Sequence, residues 1–244
     1  MGRGYLLPFP ILDKRRFRTI VQPTPMATTQ ANLPIRLDVF DAGGAKVAET
    51  FLGCLPRNHG MAMDLDQYDV AEGHAELVYD FRNGGEADGW MHALFRYEDR
   101  ESGHAAESSF GAHIFNTAMT YKDEPQSYSG PPPGLSTRLF LKLGDNVRRS
   151  FAALIYPASG RWHPLSDTRL QLIDGAGRMV DEALTAIPCS GSRMVWPHKA
   201  FSPASLKAAG TDGYVLVRDA TCRLFGYHGL MDAGGFSLDH MFGF

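Results

Sequence analysis

Cysteine is scarce in this chain: Cys54, Cys189 and Cys222 are the only three among 244 residues. They stand far apart and without C-x-x-C spacing, which argues against a disulfide framework and for a reducing, cytoplasmic compartment. Long apolar runs are missing too. No stretch approaches the ~18 apolar residues of a membrane helix. The N-terminal MGRGYLLPFPILDKRR has a short apolar stretch broken by Pro8 and Pro10, and its charge order is wrong for a secretory signal. Charge of one sign is not in large excess, the formal net charge being −3. The one basic run, Lys14-Arg15-Arg16 with Arg18, is too short for a nucleic-acid footprint. Neither nucleic acid nor membrane is therefore expected as a partner. Nucleophile and zinc-protease signatures (G-x-S-x-G, H-E-x-x-H) are absent, and Gly43-Gly44-Ala45-Lys46 lacks phosphate-loop spacing. The acidic DLDQYD at 64–69 fails as an EF-hand loop, because its sixth position is Asp69 and its twelfth is Ala75.

What the chain does contain is glycine, proline and an internal echo. Twenty-six glycines and 15 prolines suit short strands joined by tight turns. Residues 36–49, RLDVFDAGGAKVAE, and 169–182, RLQLIDGAGRMVDE, agree at 6 of 14 positions without a gap: Arg36/Arg169, Leu37/Leu170, Asp41/Asp174, Gly44/Gly177, Val47/Val180 and Glu49/Glu182. Unrelated sequence gives roughly one match. Further correspondences are expected between Asp88-Gly89-Trp90 and Asp212-Gly213-Tyr214, between His104 and His228, and between His113 and His240.

Period-two alternation predicts strands, as in 35–41, where Leu37 and Val39 face one way and Arg36 and Asp38 the other. Asp41–Gly44 and Asp174–Gly177 read as hairpin turns. Pro203–Ala209 reads as a helix capped by Ser202, and Asp64–Val70 as a short helical turn. The expected fold is all-β: two tandem antiparallel β-sandwiches related by internal duplication. The pattern resembles small bacterial immunoglobulin-like sandwich modules. The expected organisation is an N-terminal arm over 1–16, a first sandwich over 17–116, a proline-rich linker over 117–135 around Pro131-Pro132-Pro133, and a second sandwich over 136–244. Residues 1–135 hold 12 Lys/Arg and 18 Asp/Glu, whereas 136–244 hold 12 and 9, giving halves of −6 and +3.

The functional expectation is a non-enzymatic binding or assembly protein, without a cofactor, that carries a ligand or partner site at the seam between sandwiches. Trp162, His163, Trp196 and His198 set aromatic rings beside imidazoles in loops, the chemistry that stacks on a sugar or other small ligand. Unpaired sheet edges make a homo-oligomer or a protein partner possible. The alternative is a divalent transition metal, in an enzyme or a metal-binding protein, held by His104, His113, His228 and His240.

Overall fold

The structure is a computed structural model that describes residues 5–26, 30–80, 82–83, 91–111, 113–114, 120–121, 124–125, 137–145, 149–157 and 163–241. The described chain is all-β. The strands of the first half are β1 (Tyr5–Ile11), β2 (Phe17–Pro25), β3 (Asn32–Asp41), β4 (Lys46–Pro56), β5 (Met63–Asp64), β6 (Gly73–Tyr79), β7 (Met91–Asp99), β8 (Ala105–Gly111) and β9 (His113–Ile114). A two-residue pair follows, β10 (Thr120–Tyr121) with β11 (Glu124–Pro125). The second half has β12 (Thr137–Lys142), β13 (Arg149–Ile155), β14 (Thr168–Ile173), β15 (Met179–Thr185), β16 (Ser192–Val195), β17 (Tyr214–Asp219), β18 (Phe225–Met231) and β19 (Asp239–His240). Two short helices, α1 (Pro197–Ala200) and α2 (Pro203–Ala209), join β16 to β17. Ser202 caps α2 as its position predicts, its Oγ accepting from Ser205 N at 3.0 Å. The expected turn near 64–70 is a 3₁₀ turn over Leu65–Gln67, capped by Asp64.

Four antiparallel sheets result. Sheet I runs β4-β3-β6-β1-β9, sheet II β5-β2-β7-β8, sheet III β12-β17-β14-β15 and sheet IV β16-β13-β18-β19. Apart from β9, the two halves have the same strand order. In sheet III, β15-β14-β17-β12 repeats β4-β3-β6-β1, and sheet IV repeats sheet II strand for strand. The two hairpins singled out in the sequence are also alike. Leu37 faces Thr50 and Leu170 faces Ala183, each pair 13 residues apart in the chain. In both turns the aspartate N–H donates to the carbonyl four positions on: Asp41 N to Ala45 O and Asp174 N to Arg178 O, each at 3.0 Å. Gly44 and Gly177 both take positive φ, 89° and 79°, which a Cβ would strain.

Topology corrects the other correspondences. Tyr214 opens β17, the counterpart of β6, whereas residue 90 immediately precedes β7. His104 follows β7, but His228 lies inside β18, the counterpart of β7. His113 lies in β9, beyond β8, but His240 lies in β19, the counterpart of β8. Short matches in strand-rich sequence arise from shared turn chemistry as easily as from shared position.

The N-terminal segment also departs from expectation. Residues 5–11 are not an arm: they form β1, whose partner along Leu6–Ile11 is β6. Leu7 and Phe9 are fully buried. Two prolines suit a strand with a free edge, because neither needs an N–H partner. The carbonyls along that edge find partners in buried tyrosines. Tyr97 donates to Pro10 O at 3.0 Å, and Tyr227, from the second half, donates to Pro8 O at 3.1 Å. Strand extends into the proline-bearing stretch 22–34 from both ends, with β2 ending at Pro25 and β3 beginning at Asn32. The linker prolines 131–133 lie outside the described residues.

The halves share a core. One cluster joins Leu7, Phe9, Leu37, Leu77 and Phe95 of the first half to Phe151, Ile155, Tyr227, Phe236 and Leu238 of the second. A second cluster, with Leu139, Leu154, Tyr156, Leu172 and Val217, fills the space between sheets III and IV. Alternation along β13 explains the arrangement. Phe151, Ala153 and Ile155 face the shared core, while Ala152 and Leu154 face the other. Strand β13 of sheet IV is therefore buried on both faces, and so is β6 of sheet I, all seven of whose residues are buried.

Candidate functional site

The seam between the halves is the expected site, and its described part is packed. Phe17 meets Phe236 edge-on at 4.8 Å, Phe95 meets Tyr227 at 6.1 Å, and Phe110 meets Phe225 at 4.9 Å. The turn at Gly44 closes one side. A Cβ there would stand 2.6 Å from Cys189 O, and Ser192 N donates to Ala42 O at 3.2 Å. Arg16 closes another side. Its guanidinium donates to Asp99 at 2.8 Å and to the Asp232 carbonyl at 3.4 Å.

Among the four aromatic and imidazole residues expected to line a ligand site, the structure brings two together. Trp196 precedes α1 and packs half-buried on Phe151, with ring centroids 5.3 Å apart. His198 stands 5.8 Å from the Trp196 ring, and Lys199 Nζ lies over that ring at 5.5 Å. Burial lowers the His198 pKa, and the positive charges of Arg149 and Lys199 lower it further. His198 therefore favours the neutral form that hydrogen-bonds in both directions. His163 is found elsewhere, its carbonyl accepting from the Tyr156 hydroxyl at 3.2 Å, and Tyr156 belongs to the core on the opposite face of sheet IV. Trp162 lies outside the described residues.

Of the four histidines expected as metal ligands, two on neighbouring strands point away from each other. Tyr227 pairs with His240 and His228 with Asp239, so His228 and His240 project from opposite faces of sheet IV. His240 is buried in an aromatic cluster, 3.7 Å from the Phe110 centroid and 5.2 Å from Phe225. His104 Nε2 donates to the Phe236 carbonyl at 3.0 Å across the seam. The backbone of His113 pairs with Leu6, and its side chain lies outside the described part. No group of three or more His, Cys, Asp or Glu side chains is arranged around a common point among the described residues. His104 and His240 thus help hold the halves together.

A polar layer on the buried back of sheet I went unread in the sequence. Asp38 faces Glu76 directly across β3 and β6, and both are buried. Arg36 holds Asp38 at 2.7 Å, and Lys46 holds it at 2.9 Å. Beside them His74, 0% exposed, lies flat on Phe40 with ring centroids 4.9 Å apart. Its Nε2 is 3.4 Å from Glu76 Oε1, and neither ring nitrogen has a hydrogen-bond partner. Only alternation marks these residues in the sequence, and alternation does not say whether a polar face is covered.

Asp80 closes this layer. It accepts from Arg82 Nε at 2.8 Å, from Asn83 at 2.8 Å and from Arg36 at 3.2 Å. The Arg82 hydrogen bond is the main cause holding its carboxyl at about 2. A lowered carboxyl pKa gives stability that is complete above the ordinary value of 3.8 and lost as pH falls towards 2. Burial lowers His92, His198 and His228, and these act at higher pH: the unfolded chain takes up protons there first, so stability falls as pH drops below about 6.5. Asp80→Asn is expected to lower stability at pH 7 by about 1–2 kcal/mol, Arg82 being partly solvent-screened, and to flatten the loss between pH 4 and 2. Urea melts across pH check this; a variant whose curve runs parallel to the parent's down to pH 2 refutes it.

No known protein family matches the chain, and no curated protein matches it. Among solved structures it is similar to a Pleurotus ostreatus lectin in its apo form, at 7% identity and a TM-score of 0.19, covering 94% of this chain and 75% of that one. It is also similar to a glycosyl hydrolase family 2 member from Bacteroides cellulosilyticus, at 8% identity and a TM-score of 0.17, covering 100% of this chain and 29% of that one. A third is a beta-glucuronidase from glycoside hydrolase family 2, at 9% identity and a TM-score of 0.18, covering 99% and 24%. The chain spans less than a third of either hydrolase chain. Likenesses this low carry no argument about fold or function. No helix among the described residues is long and apolar enough to cross a membrane.

Proposed function

We propose that this chain is a non-enzymatic binding and assembly protein, built from two immunoglobulin-like sandwiches that descend from one unit by duplication. The common strand order and the matched hairpins support the duplication. The partner site we place on the outer edge strands, β4 of sheet I and β15 of sheet III, and its occupant is a second copy of the chain. One observation carries this reading. Among the described residues, four of the six most exposed large apolar side chains, Val47, Phe51, Met179 and Leu184, lie on these two strands. Phe51 (46% exposed) and Leu184 (69%) occupy matched places, facing Arg36 and Arg169 respectively. Among the described residues neither strand has a second strand beside it, and an apolar edge strand is a template for pairing with another strand.

Sedimentation at micromolar concentration tests the reading. The parent chain is expected to sediment well above its monomer mass of 26.9 kDa, and Phe51→Ser with Leu184→Ser to return it to monomer without loss of folded signal. A parent chain that sediments as a monomer throughout would remove the proposal.

A further inference from the structure

On the face of sheet III turned away from the second core, strand register sets up an unusual row. Arg138 of β12 faces Arg218 of β17, and Arg218 faces Arg169 of β14. Three exposed guanidiniums therefore stand in one row across three neighbouring strands. With strands ~4.8 Å apart, the row spans about 10 Å. Like charges directly opposite each other on a sheet are destabilising. Only Arg169 has carboxylate partners, Glu182 at 3.1 Å and Asp167 at 3.8 Å; among the described residues Arg218 and Arg138 have none within ion-pair distance. The first half shows that the fold does not need this row. At the matching register positions of sheet I stand Leu6, Val78 and Arg36.

Two further rows on the same face add rings and a fourth cation. Phe140 lies one row along, with Arg138 over its ring at 5.7 Å. Lys142 faces Tyr214 in the next row, and the Phe140 and Tyr214 rings are 5.8 Å apart. The Tyr214 ring is half-buried, so it offers one side to a ligand.

We propose that this face binds an acidic oligosaccharide, with the arginine row taking sugar carboxylates and Tyr214 the apolar side of a pyranose. The guanidinium fork matches a carboxylate with two parallel hydrogen bonds. The patch is short and the chain as a whole carries −3, with a pI near 6.3, far from the basic footprint that a long nucleic acid requires. Membrane docking needs apolar residues spread through the basic patch, but the strongly exposed ones here, Met179 and Leu184, lie along β15 on one side. The proposal is independent of edge assembly, since Arg218 lies two strands in from β15.

Calorimetric titration of the full chain with short galacturonate oligomers at low salt tests it, with neutral galactose oligomers, oligo(dT) and anionic phospholipid vesicles as comparisons. Galacturonate is expected to bind, neutral galactose not to bind, and Arg218→Gln to weaken binding about tenfold. The same variant should melt at an unchanged or higher temperature, because it relieves repulsion within the row. Arg138→Gln repeats the test on a neighbouring strand, should Arg218→Gln fail to fold. Absence of galacturonate binding, or binding unchanged in the folded variants, overturns the site. Tighter arginine-dependent binding of oligo(dT) or vesicles overturns the sugar assignment.

Discussion

Tyr227→Ala is expected to destabilise the whole chain by about 3–5 kcal/mol, the range for removing a large buried aromatic side chain. Tyr227 is fully buried and sits where the two halves meet. Its ring packs edge-on against Phe95 and near Phe225 at 5.4 Å, so alanine leaves a cavity bounded by both halves. Its hydroxyl satisfies the Pro8 carbonyl on β1, and burial raises its pKa well above the usual phenol value, so it stays a donor. Tyr227→Phe separates the two contributions. It keeps the ring and leaves one carbonyl unpaired, at a cost of about 1–3 kcal/mol. Because the core is continuous across the seam, the parent and both variants are expected to unfold in one transition. Differential scanning calorimetry and urea melts with two probes check this. A Tyr227→Ala protein that loses under 1 kcal/mol, or two separate transitions in the parent, would contradict a shared core.

Asp219→Ala is expected to cost about 2–4 kcal/mol and to expose the Cys222 thiol. Asp219 is buried at the end of β17 and organises the turn to β18. Its Oδ1 accepts from the N–H groups of Thr221 and Cys222 at 2.6 and 2.9 Å, and its Oδ2 accepts from the Thr168 hydroxyl at 2.9 Å. Thr168 in turn meets Ser166 at 2.7 Å, and Ser166 Oγ accepts from Ile187 N at 2.9 Å. Alanine orphans two backbone donors in a low-dielectric interior, where an unmade hydrogen bond costs its full desolvation. Burial, followed by the neighbouring Asp219 charge, pushes the Cys222 thiol far above its ordinary range, so it is inert in the intact fold. In Asp219→Ala its labelling by a thiol reagent should accelerate at least tenfold, because the turn opens more often. Asp219→Asn keeps an acceptor oxygen for the turn and should lose less than half as much. Equal losses in both variants would show that the charge matters and the turn bonds do not.

The all-β class was legible because period-two alternation and turn chemistry are local. Asp41 and Asp174 open hairpins because an aspartate followed by a glycine able to take positive φ closes a tight loop in any context. Ser202 reads as a cap for the same reason, since its partner, Ser205 N, is three residues away. The proposed sites were far less legible. Arg138, Arg169 and Arg218 are separated by 31 and 49 residues, and nothing in the chain says that β12, β17 and β14 will lie side by side. The histidine correspondences failed because matching spacing was read as matching position.

Alternation states which side chains share a face, and the sequence alone determines that much here, together with the turns that join one strand to the next. It does not state which strands become neighbours or which faces are then covered. Tertiary structure decided that Pro8 and Pro10 belong to a buried strand capped by tyrosines, that Asp38, Glu76 and His74 are buried, and that the arginines of sheet III stay in water. The physical reason is that burial of a sheet face depends on apolar area brought from distant parts of the chain, a quantity no local pattern contains.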